Sequence, residues 1–209
     1  MKQNNYQIFC ETLNKVKGLE NKPTLLLHCC CAPCSTACIL QLKDYFKITV
    51  FYYNPNISPK QEYEKRKAEQ ISFINKFAPT GEIKFLDCDY NPNEFFDIAK
   101  GLENCAEKGE RCVNCYRLRM ERTCKTAKEN GYNYFATTLT LSPLKEEKVL
   151  NEIGVRLQTE YHMPYLITNF KKNNGYLTSI QLSKQYNLYR QDYCGCIYSK
   201  INKTTHFKN

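Results

Sequence analysis

The chain has 209 residues, 42% hydrophobic and 24% charged, the balance of a folded domain that can bury its own core. No apolar run approaches the roughly 20 residues that cross a bilayer, and MKQNNYQIFCETLNKVKGLE at the start lacks the pattern of an export signal, so the chain reads as cytoplasmic, with no membrane partner. Lys and Arg outnumber Asp and Glu 30 to 21, a formal charge of +9 that favours a polyanionic partner, although a Lys-, Asn- and Ile-rich composition produces the same excess without one.

In chain order, five β-branched or aromatic runs read as strands: TLLLHCC (24–30), KITVFYYN (47–54), EIKFLDCD (82–89), YNYFATTL (132–139) and PYLIT (164–168). Helical periodicity fills the gaps between them. Tyr63, Ile71, Ile74 and Phe77 share one face, and Pro92 suits the first turn of a helix near 92–101. Tyr116, Met120, Cys124 and Ala127 share another face, as do Leu150, Ile153, Leu157 and Tyr161. Strands alternating with helices over short connections predict a single Rossmann-like (HUP-like) α/β domain over 1–209, with a mostly parallel sheet and helices on both faces. The tail INKTTHFKN reads as frayed.

Thirteen cysteines punctuate this pattern. In a reducing compartment such thiols bind metal or do chemistry more often than they cross-link. Cys10, Cys38, Cys88, Cys105 and Cys124 stand apart and read as small buried hydrophobes. The others gather in three groups: CCCAPC (Cys29–Cys34) after the first strand, RCVNCYRLRMER with Cys112 and Cys115, and YRQDYCGC with Cys194 and Cys196. A Cys₄ zinc site uses four thiolates, whereas these groups offer at least seven, and adjacent cysteines suit an iron–sulfur cluster better than one small ion. A thioredoxin-like reading of Cys31 and Cys34 leaves the second and third groups without a role. The first strand-to-helix turn also lacks the glycines of a phosphate loop.

Together LLLHCCCAPC, RCVNCYRLRMERT, FATTLTLSPLKE and YRQDYCGCIYS, in that order over nearly the whole chain, resemble the epoxyqueuosine reductases of the QueH type. The resemblance implies an oxidoreductase for the last step of queuosine formation, which reduces the epoxycyclopentane of epoxyqueuosine in tRNA to the cyclopentene. It implies a [4Fe–4S] cluster held by Cys30, Cys31, Cys112 and Cys115, without cobalamin. Cys194 and Cys196 would form either a redox-active pair or part of a second iron centre beside the cluster, which Cys34 would reach. Cys29 falls where the family requires no thiol, and which two of the three consecutive cysteines bind the cluster is a question of register.

Removing the epoxide oxygen takes two electrons and two protons, so an electron donor, unidentified by the sequence, is required. A second metal would add Lewis acidity. Asp192 and Tyr193 adjoin the CGC as candidate proton donors, against a plain reading as turn cap and packing group. His28 either tunes the neighbouring thiols or is a hydrogen-bonded structural histidine. The partner that the resemblance implies is a tRNA with epoxyqueuosine in the anticodon, whose loop bases can splay out. Arg111, Arg117, Arg119, Arg122 and Arg190 are candidate phosphate contacts, with Lys171, Lys172 and Lys200 on weaker grounds. Tyr116 and Tyr189 either stack on bases or pack in the core. The rival readings are a zinc-stabilised RNA-binding protein, a thiol–disulfide oxidoreductase and, disfavoured by the missing phosphate loop, a sulfur-transfer tRNA enzyme.

Overall fold

The computed structural model describes residues 4–200, so the tail read as frayed lies outside the described residues. Four strands, β1 (Thr24–His28), β2 (Lys47–Tyr52), β3 (Lys84–Asp87) and β4 (Tyr134–Thr137), form one all-parallel sheet in the order β3-β2-β1-β4. Its helices are α1 (Asn5–Lys17), α2 (Ala32–Leu42), α3 (Lys60–Phe77), α4 (Asn93–Ala99), α5 (Glu110–Glu129), α6 (Glu147–Tyr161) and α7 (Gly175–Gln185). The result is the Rossmann-like α/β architecture expected from the strand–helix alternation.

The side-chain alternation of the strands builds two cores. Leu25, Leu27, Ile48 and Val50 face one side, where Phe9 and Val16 of α1, Ile39 and Leu42 of α2 and Phe73 and Ile74 of α3 cover them. Leu26, Phe51 and Phe135 face the other, under Tyr116, Met120 and Cys124 of α5 and Leu150 and Leu157 of α6. The helical stripes of α5 and α6 are therefore core faces.

The chain steps outward from β1 through β2 to β3, then crosses back to place β4 on the far side of β1. That reversal is a topological switch point, where ligands bind at the carboxyl ends of the strands in such folds. Residues 29–34 lie immediately beyond the end of β1.

The expected fifth strand, 164–168, is reduced to one parallel bridge between Phe135 and Tyr165. Pro164 has no N–H to give, and neighbouring donors are claimed by α6: Tyr165 N bonds Gln158 Oε1 at 2.8 Å and Thr168 N bonds Asn151 Oδ1 at 3.1 Å. The ladder stops because the segment leans on a helix.

Candidate metal centre

The first thiol group sits at the start of α2. Cys31 is the N-cap and Pro33 occupies the first turn, which suits its fixed φ and missing N–H. The turn places the sulfurs of Cys30, Cys31 and Cys34 within 4.8 Å of one another, a group able to hold a metal ion. They share protons: Cys30 is held well below the ordinary thiol range by hydrogen bonds from Cys31 and Cys34, helped by the positive charges of Lys145 and Arg119. Cys31 and Cys34 are pushed up in return, so Cys30 is the sulfur of the trio that gives up its proton most readily.

Cys29 takes no part. Its side chain is fully buried in the core under α1 and α2, on the other face of the sheet from Cys30 and Cys31, and its thiol donates to Leu27 O at 3.6 Å. Burial pushes it up. The pleat, continuing past the strand end, separates Cys29 from its two neighbours.

The second and third groups meet. Cys112 and Cys115 lie three apart at the start of α5, on one helical face. Cys112, Cys115, Cys194 and Cys196 together line an enclosed gap with Asn56, Phe95, Tyr116 and Arg119. Burial pushes Cys115 up to about 11 and Cys196 up to about 12, so without metal these are neutral thiols and metal binding would release their protons. The gap is about 10 Å³, room for about one water, so a larger group enters only as cysteine side chains rotate away, which their single χ1 bond allows.

Cys194 also lines a second, larger cavity of about 230 Å³ with Cys30, Cys34, Lys145, Arg190, Gln191, Asp192 and Tyr193. The Cys-Gly-Cys turn thereby stands between the two thiol sets. It is held by Ser58 N donating to Gly195 O at 2.9 Å and Arg66 Nη1 donating to Cys194 O at 3.3 Å. Gly195 has φ +114°, and a Cβ there would lie 3.0 Å from Arg66 Nη1 and Ile57 Cγ1, so only glycine fits the turn.

Two cations, the buried Arg119 and the half-buried Lys145, lie beside the sulfurs. Burial alone would push Lys145 and Arg119 down, but their attraction to the neighbouring cysteine sulfurs outweighs it and both are raised. His28 carries no charge. Burial pushes it down to about 4, and its Nε2 donates to Tyr53 O at 3.1 Å while Nδ1 accepts from Thr137 Oγ1 at 3.0 Å. It is a structural histidine.

The expected phosphate-binding arginines separate into three kinds. Arg111 and Arg119 are buried, with Arg111 Nη1 donating to Leu102 O and Glu103 O at 2.8 and 2.7 Å. Arg117 pairs with Glu160 at 3.0 Å and Arg122 with Glu94 at 3.3 Å, both half exposed. Arg190 lines the larger cavity, its Nη1 donating to Ser183 Oγ at 2.9 Å. Tyr116 is buried in the core; Tyr189 lies under Lys65, whose Nζ is 3.4 Å from the ring centroid; Tyr193 donates to Ser58 O at 3.3 Å. Lys171 donates to Lys145 O at 2.7 Å. Of the five lone cysteines expected to be buried, Cys38 and Cys124 are fully buried in the core, whereas Cys10, Cys88 and Cys105 are only partly buried.

Residues without a sequence-derived role also enter the site. Lys145 and Gln191 stand inside the motifs SPLKE and YRQDYCGC, where position alone gave no assignment. Asn56 and Arg66 carry no local signal, because only the fold brings the loop after β2 and the middle of α3 against the CGC turn.

A family model described as "QueH: Epoxyqueuosine reductase QueH" matches residues 25–202. A Streptococcus pyogenes serotype M1 protein named epoxyqueuosine reductase QueH is 42% identical over 198 residues, covering 93% of this chain and 78% of that protein. Proteins of the same name from Staphylococcus epidermidis and Thermotoga maritima are 42% and 33% identical, covering 90% and 86% of this chain and 80% and 92% of theirs. No described helix is long and apolar enough to cross a membrane.

Proposed function

The chain belongs to the QueH family of epoxyqueuosine reductases, and from that premise we propose how its residues reduce the epoxycyclopentane of epoxyqueuosine in tRNA to give queuosine at the wobble position. Both C–O bonds of the epoxide break, two electrons and two protons enter, and the oxygen leaves as water. Our reading gives a [4Fe–4S] cluster to Cys30, Cys31, Cys112 and Cys115, and a second iron to Cys34, Cys194 and Cys196, all within one α/β domain spanning 1–209. What supports it is Cys194, which lines both the enclosed gap beside Cys112 and Cys115 and the open cavity beside Cys30 and Cys34.

The donor set fits such a group: seven soft sulfurs from three segments, with buried N–H groups of Asn56 and Arg119 that have no partner among the described residues. A cluster, when bound, supplies electrons one at a time from an external donor. The protein does the rest. The cavity of about 230 Å³ is smaller than the roughly 300–1,000 Å³ of drug-sized pockets, so it admits the epoxide-bearing ring rather than a whole nucleotide. Lys145 lines that cavity as a fixed cation, which would stabilise negative charge developing on the departing oxygen. Asp192 lines the same cavity and is a candidate for proton delivery.

Arg190 lines this cavity, which makes it a candidate phosphate contact beside the reacting ring. Arg117 and Arg122 hold carboxylates in exposed pairs worth roughly 0–1 kcal/mol, which tRNA phosphates can displace. Arg111 and Arg119 act inward on the loop and the thiols. The enzyme works in the cytoplasm on tRNA.

The test is anaerobic reconstitution with iron and sulfide, followed by a strong reductant and epoxyqueuosine-containing tRNA, with the digested nucleosides analysed by mass spectrometry. Conversion to queuosine that Cys112→Ala abolishes is the expected result. An iron-loaded protein that converts nothing sinks the reading, and one that takes up only zinc favours an RNA-binding role.

A further inference from the structure

We propose that Asn56 and Arg119 donate N–H hydrogen bonds to the sulfur atoms of the cluster and thereby raise its reduction potential. The inference rests on the iron–sulfur reading above and concerns two residues to which that reading gives no ligand role.

Asn56 follows β2 in the loop YNPN and is 1% exposed. Neither its Nδ2 nor its Oδ1 has a hydrogen-bond partner among the described residues. Its loop neighbour Asn54 gives the contrast: that Nδ2 donates to Cys29 O at 2.8 Å and fixes the first thiol turn. An amide buried without partners is a cost that a fold rarely leaves uncompensated. Asn56 lines the gap formed by Cys112, Cys115, Cys194 and Cys196, so sulfur is the partner its amide faces.

Arg119 reaches the same gap from a different element. It is 1% exposed, its Nε donates to Cys115 O at 3.2 Å, and its Nη2 has no partner among the described residues. Three residues with an unpartnered N–H, Asn56 of the loop after β2 and Arg111 and Arg119 of α5, thus line one sulfur-walled space. A neutral thiol is a weak acceptor, but a thiolate or sulfide carries charge and accepts strongly. A reduced cluster carries one more negative charge than an oxidised one, so donors aimed at its sulfurs favour the reduced form. A water in the gap would satisfy part of this donor set, and that alternative predicts no effect on the potential.

The experiment compares wild type with Asn56→Leu, which keeps the volume and removes the donor. Both are reconstituted anaerobically, their iron and acid-labile sulfide are measured, and the midpoint potential is followed by electron paramagnetic resonance. Unchanged cluster content with a lower midpoint potential is the expected result. Equal content and equal potential overturn this proposal alone. A wild-type protein that takes up no iron overturns the cluster reading and this proposal with it. A second measurement needs no substitution: in protein labelled with ¹⁵N in the asparagine and arginine side chains, the reduced wild-type cluster shows ¹⁵N couplings in pulsed resonance spectra. Absence of such couplings also overturns the proposal.

Discussion

Gln191 donates from Nε2 to the sulfur of Cys31 at 2.7 Å, joining the C-terminal segment to the first strand turn across 160 residues of chain. The bond fixes the orientation of a thiol at the N-cap of α2 and ties the CGC segment over the cavity at the same stroke. Groups that orient metal ligands typically contribute 10- to 100-fold to metal affinity or activity. Gln191→Ala is therefore expected to release iron to a competing chelator about tenfold faster or more, while far-ultraviolet circular dichroism stays unchanged. Equal release rates would leave the bond a packing detail.

The CGC turn gives a second prediction. Gly195→Ala adds a Cβ at φ +114° against Arg66 and Ile57, whereas Gly81→Ala, at φ +82°, meets nothing within 4 Å. Backbone strain of about 1–3 kcal/mol applies to both. Only at Gly195 does it displace the loop that carries two of the thiols, so turnover of epoxyqueuosine tRNA is expected to fall roughly tenfold or more in Gly195→Ala and to persist in Gly81→Ala. Limited proteolysis should show the C-terminal segment of Gly195→Ala opening first, because the sheet core does not depend on it.

What the sequence carried and what it hid divide along physical lines. Strands β1, β2 and β4 were legible because apolar β-branched runs buried on both faces leave an unmistakable pattern. Helix α7 was not, because its buried face is made of Gly175, Ser179 and Ser183. Small polar residues let it lie close on α2, and at Gly175 a Cβ would come within 1.8 Å of Phe170 O, but they give no apolar periodicity. The thiol groups were legible as motifs, since cysteine spacing is a local property. Their supporting residues were not: Arg66 and Asn56 meet the CGC turn only through tertiary folding.

A helix-interior glycine offers a prediction with an unexpected sign. Replacing glycine by alanine in a helix usually stabilises by about 0.5–1 kcal/mol. At Gly154 of α6, a Cβ would fall 2.3 Å from the ring of Tyr165, which is wedged there by a hydroxyl bond to Asn151 at 3.1 Å and by Phe135 at 5.0 Å. Overpacking costs about 1–3 kcal/mol and wins. Once the helix gain is subtracted, Gly154→Ala should lower Tm by up to about 10 °C, at about 2–4 °C per kcal/mol for a chain of this size. A raised Tm in a thermal melt would show that the ring moves aside freely.

The three consecutive cysteines offer the most direct separation of structural from ligating sulfur. Cys29 and Cys30 are adjacent, yet the pleat sends the first into the core beneath α1 and α2 and the second toward Cys31, Cys34 and the cavity. Cys29→Ala removes one small buried group and is expected to cost about 1 kcal/mol of stability while keeping the iron content of wild type. Cys30→Ala removes the sulfur that Cys31 and Cys34 are grouped around and that Lys145 and Arg119 attract. Its iron content after reconstitution should fall to a small fraction of wild type. Iron and sulfide analysis of the two variants side by side decides the matter, and loss of iron in Cys29→Ala would shift the ligand register back by one residue.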